Sequence, residues 1–267
     1  MTGVAEISAS LVKELRDATG AGMMDCKRAL VETGGDLEAA RTLLREKGMA
    51  AAGKRADRAT TEGIVGVVVE PGKASIVGLG CETEPVSKNE DFLAFVEQAL
   101  ETVERDGAGA EAALEDERVA LTAKLGENIV ITGAARFEAV DGGQVASYVH
   151  PPGNKLGVLV QVRGGSADLG RRLAMHVAAS APEWIGREDV PEDLVTSERE
   201  IFAGTDEVLS KPEQAREKIV DGMLQKRFFA ARVLVDQPWI HDPSTSVGQA
   251  LAAEGAEVLE FERLQLG

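Results

Sequence analysis

The chain has 267 residues, of which 44% are apolar, and its formal net charge is −16. This length provides for one large hydrophobic core or two modest ones. So acidic a chain repels phosphate backbones, which argues against direct, indiscriminate binding of nucleic acid.

The charge is unevenly distributed along the chain. Residues 1–60 carry 10 Lys and Arg against 9 Asp and Glu, whereas the remaining residues carry 19 against 36. A nearly neutral segment therefore precedes a strongly acidic one, which indicates a separate N-terminal module.

The two cysteines, Cys26 and Cys81, are too few and too far apart in sequence for a disulfide framework or a paired metal-ligand motif. We expect two reduced thiols, as in a cytosolic protein. The N-terminus lacks the basic and apolar regions of a secretory signal. No apolar stretch approaches the roughly 18 residues of a membrane span. These features predict a cytoplasmic protein with no membrane partner and no bound metal.

The N-terminal part of the chain has the apolar spacing of three short helices. They are expected over residues 8–19, 23–33 and 37–48. Asp36 is a suitable cap for the third helix, and Gly48 is expected to close it. Residues 1–49 are thus predicted to form a three-helix domain, and residues 50–62, which lack an apolar stripe, a linker.

A change of period after the linker predicts strands. The expected elements are a hairpin over residues 64–69 and 74–79, helices over 90–105 and 110–125, and a strand over 129–140. The order of hairpin followed by helix recurs about 80 residues later, over 144–162 and 169–180. The fold class is therefore predicted as α+β, with a duplicated core of antiparallel sheets divided into residues 63–140 and 141–267.

A helical insertion interrupts the second half of the core at about residues 191–233. Two amphipathic segments lie on either side of Lys211-Pro212-Glu213, a pattern that predicts an antiparallel coiled-coil hairpin. A short helix over 247–254 and a last strand over 258–264 then complete the chain.

No pattern in the sequence requires an enzyme. The segment Gly66–Ala74 approaches a phosphate-binding loop, but five residues separate its glycines and Ala74 has no hydroxyl to bind magnesium. The three histidines, His150, His176 and His241, show neither zinc-ligand spacing nor a nucleophile motif. We therefore expect a protein that acts by binding, with no catalytic residue and no cofactor of its own.

The most specific pattern is the run LVKELRDATGAGMMDCK at residues 11–27. Further motifs follow in order: Gly34-Gly35-Asp36, Cys81-Glu82-Thr83, KLGEN at 124–128, AMHVAA at 174–179, Lys211-Pro212-Glu213 and Asp236-Gln237-Pro238. Together they closely resemble, over essentially the whole chain, the family of elongation factor Ts.

The resemblance implies a fold and a mechanism. The implied fold has a small domain similar to ubiquitin-associated domains, a duplicated α+β core and a coiled-coil hairpin. The implied partner is elongation factor Tu, in its GDP-bound and nucleotide-free forms. A factor of this kind disturbs the magnesium and phosphate contacts of the bound GDP, promotes its release, and stabilises the empty GTPase until GTP enters.

The resemblance also implies which residues bind the partner. They are Lys13, Arg16, Met23, Met24 and Lys27 in the N-terminal domain, and His176, Ile240 and His241 in the core. Met23 and Met24 are consecutive, so both cannot face the interior of one helix, and at least one is expected to be exposed.

A loop over Thr83–Val86 is implied to dislocate magnesium in elongation factor Tu. The family usually has Asp-Phe-Val after Cys-Glu-Thr, whereas this chain has Glu84-Pro85-Val86. The phenylalanine resembles a wedge driven between helices of the partner. Proline is smaller and fixes its own backbone angle. We therefore expect slower exchange than in a relative with Asp-Phe.

Two other functions stay open on the sequence. The departure at Glu84-Pro85 is compatible with a degenerate paralogue that binds the GTPase without efficient exchange. The three-helix domain is also compatible with a scaffold for protein interactions of the ubiquitin-associated type.

Overall fold

Helices and antiparallel sheets alternate along the chain in a computed structural model, which describes residues 7–267. Residues 1–6 of the predicted N-terminal domain lie outside the described part. The helices are α1 (Ala9–Thr19), α2 (Met23–Glu32), α3 (Leu37–Gly53), α4 (Glu84–Ser87), α5 (Glu90–Asp106), α6 (Glu115–Leu125), α7 (Ala167–Ser180), α8 (Glu192–Ala203), α9 (Asp206–Leu209), α10 (Glu213–Met223), α11 (Ala230–Arg232) and α12 (Val247–Ala253). The strands are β1 (Glu62–Glu70), β2 (Lys73–Cys81), β3 (Val130–Glu138), β4 (Gly143–Val149), β5 (Leu156–Arg163), β6 (Pro238–Trp239), β7 (Asp242–Ser246) and β8 (Glu257–Gln265). The predicted α+β class with antiparallel sheets is confirmed.

Helices α1 to α3 pack around a small apolar cluster of their own. The hydroxyl of Ser8 accepts the Leu11 N–H at 3.2 Å and so caps α1, which ends at Gly20 with a φ of 66°. The carboxylate of Asp36 caps α3 by accepting the Ala39 N–H at 3.0 Å. The buried members of the cluster are Val12, Leu15, Cys26, Ala29, Leu30 and Ala40.

Helix α3 is longer than the sequence predicted, because it continues through Gly48 to Gly53. Gly48 is buried, and a Cβ on it would lie 3.6 Å from Ala123 Cβ and 3.8 Å from Val119 Cγ1, both on α6. The prediction that Gly48 ends the helix was therefore wrong. A glycine that lets two helices approach closely cannot be told from a C-terminal cap by sequence alone.

The core contains two antiparallel three-stranded sheets, with strand orders β1-β2-β3 and β4-β5-β8. In each sheet the second strand of a hairpin is central, and the third strand returns only after intervening helices. Helix α5 covers the outer face of the first sheet, and α7 covers that of the second. The recurrence seen in the sequence thus corresponds to two sheets with the same strand arrangement.

The inner faces of the two sheets pack against each other. Their shared cluster consists of Val65, Ala74, Ile76, Ala135, Phe137, Leu159, Leu264 and Leu266. The central strands β2 and β5 are covered on both faces, which is why they read as continuous apolar runs. At Gly157 the sheets approach so closely that a Cβ would lie 2.4 Å from Val65 Cγ1 and 3.1 Å from Ile76 Cδ1.

The helical insertion between α7 and β6 has its own apolar cluster. Helix α8 packs against α10, and Pro212 immediately precedes α10, at the predicted break. A π-helix over Leu224–Phe229 continues directly from α10. The buried cluster consists of Val190, Val208, Val220, Met223, Leu224, Phe228 and Val233.

Every helix within residues 7–267 is too short or too polar to cross a lipid bilayer.

We expect Gly157→Ala to lower the free energy of unfolding by about 1–3 kcal/mol, because the added methyl group overlaps Val65 in a closely packed interface. The control is Gly222→Ala in α10, where nothing lies within 4 Å of the new Cβ. It should leave stability unchanged or raise it by up to about 1 kcal/mol. Urea unfolding followed by tryptophan fluorescence measures both variants. Equal stability of the two would contradict the close approach of the sheets at Gly157.

Candidate partner-binding site

The first two helices present five of the predicted partner-binding side chains to solvent. Because the apolar residues of α1 and α2 face the cluster between the helices, the remaining side chains point outward. Met23 is 57% exposed and Met24 is 63% exposed, so the prediction that at least one is exposed is confirmed for both. Exposed methionines provide apolar contacts that adapt to a partner surface. The exposed residues are Lys13, Arg16, Met23, Met24 and Lys27.

The segment predicted as a loop, Thr83–Val86, is mostly a single helical turn. Thr83 is the N-cap residue, and α4 follows it. Proline is well tolerated in this first turn, where its missing N–H would have no intrahelical partner. Thr83, Glu84 and Pro85 are exposed, whereas Val86 is half-buried against the cluster beneath α5. The loop prediction was thus wrong about conformation, because four residues are too few to show helical periodicity.

One carboxylate holds the N-terminus of α4. Oε2 of Glu127 accepts the main-chain N–H groups of Glu82 at 3.1 Å and Thr83 at 3.0 Å, and its Oε1 accepts the Thr83 hydroxyl at 2.6 Å. The Glu82 carboxylate in turn accepts the main-chain N–H of Asn128 at 2.7 Å. Hydrogen bonds to an ionised acceptor are about twice as strong as neutral ones. The position of α4 is therefore fixed from the turn after α6.

Cys81 makes a hydrogen bond to the residue that caps α4. Its buried thiol donates to the Thr83 carbonyl at 3.3 Å. Burial, with a further contribution from the nearby Glu127 carboxylate, raises the pKa of Cys81 to about 12. The thiol is therefore neutral at physiological pH, and it acts as a hydrogen-bond donor and packing group.

The carboxylate of Glu84 lies on the exposed side of α4. It pairs with Lys88 at 2.7 Å, and this hydrogen bond and the lysine charge hold the pKa of Glu84 below its usual range. Both side chains are largely exposed, so the pair contributes little to stability. It leaves an ionised carboxylate beside Pro85 that a partner can reach.

His176 is buried, unlike the other predicted contact residues. Its Nε2 lies 2.9 Å from Oε1 of Gln237, and its Nδ1 accepts the main-chain N–H of Ile240 at 3.4 Å. These two bonds require a neutral ring with its proton on Nε2. Burial lowers the pKa of His176, which favours that neutral form. The ring therefore holds the chain at Ile240 in place.

Ile240 and His241 form the turn between β6 and β7. Both are exposed, and the buried Trp239 beneath them lies between two imidazoles, with ring centroids 5.2 Å from His176 and 4.8 Å from His241. The structure thus brings the three predicted core residues together. Sequence reasoning missed Trp239 and Gln237 as supports of this turn, although Gln237 belongs to one of the recognised motifs.

Among residues 7–267, no group of three or more His, Cys, Asp and Glu side chains is arranged to hold a metal ion.

Comparison with known proteins gives the chain a family. The profile of the family Elongation factor TS matches residues 82–267. Elongation factor Ts of Thioalkalivibrio sulfidiphilus is 42% identical, with 98% of this chain and 92% of that protein covered. The same shares are covered for elongation factor Ts of Methylococcus capsulatus, at 43% identity, and of Xanthomonas oryzae pv. oryzae, at 42%. The chain belongs to the elongation factor Ts family.

Membership gives the chain the role of elongation factor Ts, guanine-nucleotide exchange on its partner, elongation factor Tu. Such a factor acts by binding rather than by chemistry of its own. The alternatives of a degenerate paralogue and of an interaction scaffold are not favoured. The region that matches the elongation factor Ts profile includes α4, His176 and the turn at Ile240, and the full-length relatives extend the likeness through α1 and α2.

We expect Glu127→Ala to lower the free energy of unfolding by about 1–3 kcal/mol, because it leaves the donors at Glu82 and Thr83 without their acceptor. The amide protons of Glu84, Val86 and Ser87 should also exchange faster with deuterium, because α4 loses its fixed start. The control is Glu117→Ala, an exposed glutamate on α6. Unchanged protection of α4 in the Glu127 variant would refute its role as the anchor.

We expect His176 to make stability depend on pH. Its pKa is lower in the folded chain than the value of about 6.5 in the unfolded chain. Its contribution is therefore fully present above that value and is lost as the pH falls toward the folded pKa, since the unfolded chain then binds more protons. Between about pH 7.5 and 5.5, His176→Gln should flatten the fall in the free energy of unfolding. Equal slopes for the parent and the His176 variant would contradict a buried neutral ring.

Proposed function

We propose that the chain opens the magnesium and phosphate site of elongation factor Tu with α4, while α1, α2 and the turn at Ile240 hold the partner. One observation carries this proposal: Glu84 and Pro85 are exposed at the tip of a turn that Glu127 fixes from behind. Magnesium demands nearly ideal octahedral geometry and tolerates little displacement of its ligands. A carboxylate and an apolar ring that a fixed turn presents beside the ion are therefore sufficient to disturb it.

The thermodynamic requirement for this action is a preference between two states of the partner. A protein expels a ligand only by binding the empty GTPase more tightly than the loaded one. GDP must then weaken binding of the factor by the same ratio by which the factor weakens binding of GDP. The chain is accordingly proposed to bind both the GDP-bound and the nucleotide-free forms, with higher affinity for the latter.

Each predicted site residue has a place in this proposal. The five exposed residues of α1 and α2 bind the nucleotide-binding domain of the partner, and Thr83–Val86 dislocates magnesium. Ile240 and His241 contact the partner directly. His176 acts through the turn, since its own ring is buried and its hydrogen bond to Ile240 shapes the surface.

We propose the following domain organisation for these contact surfaces. Residues 1–49 form a domain of the ubiquitin-associated type, of which residues 1–6 lie outside the described part. Residues 50–62 form the linker, although residues 50–53 continue α3 and Glu62 begins β1. Residues 63–140 and 141–267 form the two core subdomains. The insertion at about 191–233 is an antiparallel coiled-coil hairpin, a proposal supported by the packing of α8 on α10.

The remaining parts of the proposal concern what the chain does not need. We propose that it has no catalytic residue, no direct nucleic-acid partner and no membrane partner, and that it acts in the cytoplasm. The net charge of −16 supports the exclusion of nucleic acid, since phosphate is repelled.

The test of this function is release of a fluorescent GDP analogue from elongation factor Tu, chased with excess unlabelled GDP. The chain should accelerate release, and the observed rate constant should rise with the concentration of the chain until it saturates. A rate constant that stays at its spontaneous value at every concentration would overturn the proposal.

We expect Pro85→Phe to accelerate GDP release, because it restores the family's apolar wedge beside the carboxylate of residue 84. A buried phenyl contact is worth on the order of 2–4 kcal/mol, so even partial recovery should raise the saturating rate constant by at least about tenfold. The control is Leu93→Phe, which adds a phenyl ring at a position on α5 that is 37% exposed. If stopped-flow measurements give Pro85→Phe the parent rate constant, the wedge assignment at residue 85 is wrong.

A further inference from the structure

A buried side chain of the core makes hydrogen bonds to the linker between α3 and β1, to which Lys155 Nζ also donates, at the Thr61 carbonyl oxygen, at 3.4 Å. Asn128 is only 4% exposed, and its Nδ2 donates to the carbonyl oxygens of Ala56 at 3.3 Å and Arg58 at 2.9 Å. Its main-chain N–H donates to the Glu82 carboxylate at 2.7 Å. One residue therefore contacts the linker with its side chain and the segment before α4 with its backbone.

A side-chain amide suits this position for a specific reason. The linker residues between Gly53 and Glu62 belong to no strand or helix, so their carbonyl oxygens need hydrogen-bond donors from outside regular secondary structure. The Asn128 amide supplies two N–H donors, and each goes to a linker carbonyl. The nearby pair of Arg58 and Glu82, at 3.4 Å, has an arginine side chain that is 54% exposed, and it adds only a weak tie.

The other contact between the N-terminal helices and the core is less specific. Helix α3 lies on α6 at Gly48, and Arg45 pairs with Asp116 at 2.6 Å. Both charged side chains are more than 60% exposed, so the pair is screened and contributes little. Gly48 and Ala123 let α3 and α6 pack closely, so this apolar contact also restrains the N-terminal helices. The buried amide is the more directional constraint.

We infer that Asn128 is a positioning residue, which fixes the N-terminal helices relative to α4 so that both surfaces meet the partner at once. The inference rests on the proposed function. Two contact surfaces joined by a rigid connection bind as a bivalent unit, whose affinity depends on the effective concentration that the connection maintains. A linker that is already ordered in the free protein also loses less conformational entropy on binding than a flexible linker does.

The kinetic test compares Asn128→Ala with Gln144→Ala in the GDP-release assay. Gln144 is a matched control, because its Nε2 also donates to loop carbonyls, those of Gly164 and Ser166, but in the second sheet. The main-chain bond from residue 128 to Glu82 persists in the alanine variant, so the support of α4 is retained. Asn128→Ala should raise the half-saturating concentration of the chain by about tenfold, with the saturating rate constant within about twofold of the parent. Gln144→Ala should change neither.

A distance measurement tests the same inference without the partner. Cys26 and Cys81 are buried, so spin labels can be directed to cysteines introduced at Val31 on α2 and Val140 after β3, which are 49% and 38% exposed. Parent protein with only its two native cysteines gives the labelling background. Pulsed electron–electron double resonance then measures the distribution of distances between the two labels. The distribution should be narrow in the labelled parent and in Gln144→Ala, and broad in Asn128→Ala.

The inference requires both results. The inference is overturned if the Asn128→Ala variant keeps the half-saturating concentration of the parent, or if it keeps the distance distribution of the parent. A lowered saturating rate constant with unchanged half-saturation also contradicts it, because that pattern would assign Asn128 to the support of α4. If the parent itself does not accelerate GDP release, the proposed function fails, whereas the distance distribution still decides whether Asn128 fixes the N-terminal helices.

If Asn128→Ala does not fold, Asn128→Ser replaces it, because serine keeps one hydrogen-bond donor. This variant should broaden the distance distribution to an intermediate width, and a width equal to that of the parent overturns the inference.

Discussion

Four hydrogen bonds between residues 82–83 and 127–128 set the position of α4, and the proposed action of the chain depends on them. The bonds are reciprocal, since each segment supplies a carboxylate that accepts main-chain N–H groups of the other. One segment follows the central strand of the first sheet, and the other follows α6. A four-residue helix has little stability of its own, so its placement must come from such external bonds. These bonds therefore fix the start of the short exposed turn against the segment after α6.

The second proposed contact surface is built in the same way. The turn at Ile240 and His241 is exposed, and the buried His176, Gln237 and Trp239 fix it from within. In both places few residues are proposed to face the partner, and buried or half-buried polar groups with satisfied hydrogen bonds determine their geometry. The two packed sheets link these places, because α4 follows a strand of one sheet and α7, which carries His176, covers the other. A surface preorganised in this way loses little entropy on binding.

The sequence predicted the elements well where their periodicity is long, as in α5, α7 and the strands of both hairpins. It failed where one residue type serves two purposes, as at Gly48, and where an element is too short for a period, as at α4. The pairing of Glu127 with Thr83 spans 44 residues, so no local pattern could indicate it, although both motifs were recognised separately. The hydrogen bonds of His176 were equally hidden. Helical spacing places it among apolar residues, but only the folded chain supplies Gln237 and Ile240 as its partners.

Titration calorimetry of the chain with elongation factor Tu, prepared once without nucleotide and once saturated with GDP and magnesium, tests the central claim most directly. The account predicts clearly tighter binding to the empty form, by the same factor by which the chain weakens the affinity of the GTPase for GDP. Equal affinity for the two forms would contradict it, because a factor with no preference between the states cannot shift the nucleotide equilibrium.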